Sequence, residues 1–93
     1  MEQNANQVAS LLKMIANPNK LQILCLLEEG EKTVTELHEN ISDISMPALS
    51  QHLSTLRMAH LIASHRKGQY VIYAIQDQRI IELIHTIKHL YCA

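Results

Sequence analysis

Between Ile44 and Gln76 the chain has no Asp or Glu, and within that stretch its apolar residues switch from helical spacing to strand alternation. Met46, Leu49, Leu53 and Leu56 fall on one stripe of a helix running from Ser45 to about Met58. Leu61–Arg66 and Tyr70–Ile75 then read as two short strands turning at Lys67-Gly68, with Tyr70 and Ile72 alternating against Val71 and Tyr73. All nine acidic residues lie outside, the flanking ones being Asp43 and Asp77, whereas Arg57, Arg66, Lys67, His52, His60 and His65 lie inside. A short helix joined to a basic hairpin, with carboxylates excluded, is what a surface facing phosphates requires.

The chain before this stretch is helical. Val8, Leu11, Leu12 and Ile15 recur at helical spacing over about Ala5 to Ile15. Asn17-Pro18 supplies an N-cap and a proline in the first helical position, opening a second helix that ends before Gly30 and turns Leu21, Leu24 and Cys25 inward. Thr33 and Glu36 have capping-box spacing, so a third helix carries Val34, Leu37 and Ile41. Ser45 caps the fourth, where Pro47 costs little because first-turn amides have no helical acceptor. Asp77 caps a last helix whose apolar stripe is Ile80, Ile84, Ile87 and Tyr91. The predicted order is four helices, two strands and a helix, a mainly α fold with a small β-hairpin in one domain over residues 1–93.

The fourth helix has an unusual outer side. Pro47, Ala48, Gln51, Ser54 and Thr55 occupy it, with Ser50 and His52 at the margins. A merely solvated face would carry Glu–Lys pairs, so short and hydrogen-bonding residues favour a face pressed against a partner. The net charge of −1 does not by itself point to nucleic acid. Its distribution does, since Glu28, Glu29, Glu31, Glu36, Glu39 and Asp43 cluster just before the acid-free stretch.

Phe and Trp are absent, so the core is aliphatic, and a chain this small gains by pairing with a second copy. No apolar run approaches the ~18 residues of a membrane span. The polar start Met1-Glu2-Gln3-Asn4 is unlike a signal peptide, and a cytosolic protein is expected. A Gly-rich phosphate loop, a nucleophile elbow and a third group to orient a Cys–His pair are all missing, which argues against an enzyme; no cofactor is expected. In a reducing compartment Cys25 and Cys92 read as inert core thiols, metal ligands or a redox pair.

Helix three, a short connection and helix four form a helix-turn-helix, and the ribbon after it is a wing. With Ala16-Asn17-Pro18-Asn19-Lys20-Leu21-Gln22-Ile23-Leu24, Val34-Thr35-Glu36-Leu37, Ala48-Leu49-Ser50-Gln51-His52-Leu53 and Val71-Ile72-Tyr73, the chain resembles the ArsR-type winged-helix repressors over nearly its full length. The resemblance implies a homodimer paired through its first and last helices, with both fourth helices in successive major grooves of double-stranded DNA. An inverted-repeat operator with half-sites about 34 Å apart follows.

Ser50, Gln51 and His52 match base-facing positions of such proteins, and Gln51 suits bidentate bonding to adenine. Ala48 or Pro47 suits a thymine methyl, although Pro47 stands where a polar residue is more usual, and Thr55 shares the face. His65, Arg66, Lys67 and Gln69 on the wing would meet phosphate or the minor groove. The plainer readings are a soluble hairpin tip for Arg66 and Lys67, and a ring satisfied inside the domain for His52.

Many repressors of this kind sense metal. The third helix lacks the paired thiols of one sensor class, and Arg79, two residues after Asp77, stands where another class has a ligand. Asp77, His85, His89 and Cys92 remain an alternative ligand set. The placement of Cys25 and Cys92 is instead similar to the thiol-switch branch, the persulfide and oxidant sensors of BigR and SqrR type, in which helices two and five are bridged within a subunit. Lys88 and His89, one turn before Cys92, would favour its thiolate, against the helix C-terminus. Cys92 would then react first with an oxidant or reactive sulfur species, and Cys25 would resolve it.

Overall fold

The computed structural model describes residues 2–92. Helices α1 (Glu2–Ile15), α2 (Pro18–Glu28), α3 (Val34–Asn40), α4 (Met46–Met58) and α5 (Gln78–Tyr91) are joined to strands β1 (Lys32–Thr33), β2 (Ile62–Lys67) and β3 (Tyr70–Ile75). The sheet is antiparallel in the order β1-β3-β2.

Local chemistry sets the boundaries. Asn17 Oδ1 accepts the Lys20 amide at 3.0 Å above Pro18. Thr33 and Glu36 complete a reciprocal capping box, at 3.1 and 2.8 Å. Ser45 Oγ accepts the Ala48 amide at 3.2 Å, and Asp77 Oδ1 accepts that of Arg79 at 2.9 Å. α4 ends without glycine. The His60 amide donates to Arg57 O and the Leu61 amide to Leu56 O, a Schellman closure that holds His60 at φ 62°, in the left-handed region.

The core joins Ile23, Leu24 and Leu27 of α2 to Leu37 and Ile41, to Leu49, Leu53 and Leu56 of α4, to Leu61 and Ile62, and to Ile80 and Ile84 of α5. α2 packs on α4, α5 and β3. Elsewhere the packing departs from expectation. The buried face of α2 is Ile23, Leu24 and Leu27, with Leu21 and Cys25 half-buried at its flanks, because three elements crowd around the helix. Met46 stands at the open end of its stripe, exposed, and Tyr91 is 83% exposed beyond the last buried turn of α5.

α1 begins at Glu2 rather than near Ala5, and Ile15 is its buried residue, leaving Val8 and Leu12 about half exposed. The first wing strand is shifted one residue, so Lys67 pairs with Tyr70 and the turn is Gly68-Gln69. Gly68 takes φ 64° there, as the first central position of a type II′ turn requires. β1 went unread in the sequence because two residues carry no alternation; Lys32 and Thr33 pair with Tyr73 and Ile72.

Truncating Leu53, 1% exposed, to alanine should cost about 2–5 kcal/mol. His60→Gly should add roughly 0.5–1 kcal/mol by relieving the left-handed backbone. Urea unfolding of the two variants beside the wild type checks both signs.

Candidate nucleic-acid interface and thiol pair

The turn between α3 and α4 is pinned from behind. The His38 ring donates through Nε2 to Ile44 O at 3.0 Å, just before the Ser45 cap, so the angle at which α4 leaves is held by a side chain. Sequence reading passed over His38, since nothing in its spacing announces a contact that exists only once the turn has closed. On α4, Pro47, Ser50 and Gln51 are exposed, while Ala48, His52 and Thr55 are half-buried. Thr55 Oγ1 donates to Gln51 O at 3.0 Å, which turns the hydroxyl back onto the helix. The first turn contains no acid. Its positive helix end therefore meets no competing carboxylate from its own first turn.

Arg57 Nη1 donates to Ser64 Oγ at 3.3 Å, tying the last turn of α4 to β2. His65, Arg66, Lys67 and Gln69 are exposed along the wing. The acid-free sequence does not make the wing entirely acid-free in space. Because β1 joins the sheet, Glu31 comes within 4.0 Å of His65 Nε2.

The thiol end lies where α2 packs on α5. Cys25 is half-buried and Cys92 exposed, and both sulfurs are free. The expectation that Lys88 serves Cys92 is not met. Its ammonium turns toward α2, donating to Cys25 O at 3.2 Å, Glu28 Oε1 at 2.9 Å and Glu29 Oε2 at 3.5 Å. Burial pushes the Cys25 thiol up, Lys88 draws it down, and Cys92, Glu28 and Glu29 push it further up. His85 Nδ1 joins the cluster 3.3 Å from Glu28 Oε2. The Glu28 carboxyl is held below its ordinary range, first by the Lys88 hydrogen bond and, after a partial offset from desolvation, by that of His85.

The alternative metal set does not assemble. Asp77 caps the opposite end of α5 from Cys92, and its carboxylate is occupied by Arg79 Nε at 3.1 Å and Nη2 at 2.9 Å. His85, His89 and Cys92 line an open cavity of about 360 Å³ with Glu28 and Lys88, whose ammonium opposes a cation there. Among the described residues no three His, Cys, Asp or Glu side chains converge to hold a metal ion.

A profile of the bacterial regulatory proteins of the arsR family matches residues 17–64, from the α2 cap into the wing. The chain belongs to that family. It is 38% identical over 92 residues to the transcriptional activator HlyU of Vibrio cholerae, covering 99% of this chain and 84% of that protein. To the biofilm growth-associated repressor of Xylella fastidiosa it is 36% identical over 93 residues, covering 100% and 81%. The structure of reduced HlyU from Vibrio cholerae superposes with a TM-score of 0.93 at 38% identity, covering 100% of this chain and 97% of that one. The fold is the winged helix of these proteins, and this arsR-family chain is a DNA-binding transcriptional regulator, not an enzyme.

The Glu28–Lys88 contact has a definite pH signature. Glu28 is lowered on folding, so its contribution is complete above the ordinary value of about 4.5 and is lost as pH falls through the lowered one. Glu28→Gln should melt below the wild type at pH 7, and the gap should close as pH falls below about 4.5. Thermal midpoints followed from neutral to acid pH report it.

Proposed function

We propose that this arsR-family regulator is a homodimeric repressor that releases its operator when Cys25 and Cys92 are oxidised or persulfidated and become bridged. The observation that carries the reading is the placement of one thiol on α2 and the other at the C-terminal cap of α5, with α2 itself packed on the reading helix α4. A shift of α5 against α2 therefore reaches the reading head through side chains already in contact. Coupling of ~1–3 kcal/mol is enough to change occupancy severalfold or more. The solved HlyU relative is a reduced protein, which fits a pair with a redox function.

Pairing of two copies is supported by α1. Val8 and Leu12 stay exposed, and a groove of about 580 Å³ between α1 and α5, with Val8, Leu11, Ile80 and Leu83 in its walls, lies open. A 14-residue helix is marginal in water without packing, and a second copy supplies it. The dimer presents two α4 helices to an inverted repeat about 34 Å between half-site centres. Gln51 bonds adenine, Pro47 and Ala48 touch thymine methyls, and Ser50, His52 and Thr55 complete the face. Arg66 and Lys67, with His65 and Gln69, neutralise phosphates at the wing.

Binding to a duplex with the inverted repeat of the protein's own promoter tests this by fluorescence anisotropy. Reduced protein should bind with an affinity falling steeply with salt, and the joint Arg66→Ala, Lys67→Ala variant should lower that slope by about 1–2 units. Gln51→Ala should narrow the preference for the intact site by about 1–3 kcal/mol. Polysulfide or diamide should release the wild type but not Cys25→Ser. A Cys25→Ser protein released like the wild type overturns the switch.

A further inference from the structure

The thiol-switch reading leaves one charged side chain without a task. Lys88 is bonded to the backbone of both cysteines, since its ammonium donates to Cys25 O and its own carbonyl accepts the Cys92 amide at 2.8 Å. Its side chain is 26% exposed, and Glu28, 16% exposed, holds it at 2.9 Å. A lysine used only for solubility would extend into water. This one lies along the seam between α2 and α5.

We propose that Lys88 is the positioning residue of the thiol pair: it docks the end of α5 on the end of α2 and keeps a positive charge beside Cys25 while Cys25 displaces the leaving group on Cys92. This role rests on the thiol-switch reading. With hydrogen peroxide as oxidant, the Cys92 thiolate attacks one peroxide oxygen, the O–O bond breaks, and hydroxide leaves as a Cys92 sulfenic acid forms. The Cys25 thiolate then attacks that sulfur, the S–O bond breaks, a second hydroxide leaves and the S–S bond forms. The two sulfurs together lose two electrons, the peroxide gains them, and the two thiol protons convert both hydroxides to water.

The second step needs a Cys25 thiolate, which burial disfavours. The groups acting on that sulfur are Lys88 and Cys92 from α5 and Glu28 and Glu29 from its own helix, with His85 on Glu28. Lys88 is the α5 cation directed at that helix end, and it also pairs with the two carboxylates that oppose ionisation, Glu29 being shared with Lys32. One side chain thus sets both the approach of the helices and the charge at the resolving sulfur.

The test compares Lys88→Met, which keeps the apolar stem, with Lys88→Arg. In reduced protein, iodoacetamide labelling of Cys25 is followed by peptide mass spectrometry from about pH 6 to pH 10. Bridge formation after hydrogen peroxide is followed by intact mass under the same conditions. Lys88→Met should label Cys25 with a midpoint moved to higher pH and bridge at least about threefold more slowly at neutral pH, while Lys88→Arg stays near the wild type. Wild-type labelling and bridging in Lys88→Met, or Lys88→Arg matching Lys88→Met in both, overturns the role alone. A wild type that never joins Cys25 to Cys92 overturns the switch, and this role with it.

Discussion

The burial of Ile23, Leu24 and Leu27 on α2 is the constraint on which the rest of the structure depends. That helix touches α4, α5 and β3 together, so the reading helix, the thiol-bearing helix and the wing share one support. With neither Phe nor Trp, the buried core is made of branched aliphatic side chains, with Tyr73 of β3 packed against its edge. Close-packed interiors pass small displacements on rather than absorb them. The place where α2 meets α5 therefore has a packed route to α4 and to the wing.

The acids have separate tasks although they crowd one stretch of sequence. Glu36 closes the α3 capping box, Glu28 and Glu29 hold Lys88, and Glu31 approaches His65. Keeping them away from α4 leaves its outer face with hydroxyls, an amide and helix-end dipoles. The net charge near zero is thus the sum of an acid-free surface and an ion-pair seam between α2 and α5, and its value says little about either.

How much was legible depends on the range of the interaction. The caps at Asn17, Thr33, Ser45 and Asp77 act over two or three residues, and they lie where the sequence places them. The wing strands follow from alternation, with the register moved by one residue where Gly68 takes the left-handed turn. β1 was missed because its pairing with β3 is the only thing that makes two residues a strand. The exposed residues of the α4 outer face were legible as a run without carboxylates, with His52 at its margin; the half-burial of Ala48 and Thr55 was not.

Sequence alone determined the capped starts of α2 to α5, the hairpin, the aliphatic character of the buried core and the acid-free face of α4, because each is set by neighbouring residues or by composition. Tertiary structure alone decided which way Lys88 points, that His38 braces the turn before α4, and that Glu31 reaches the wing. Lys88 shows the physical reason most clearly. Along the chain it is four residues from Cys92 and far from Cys25, yet the folded seam puts its ammonium against the more distant cysteine, where two carboxylates and a carbonyl converge.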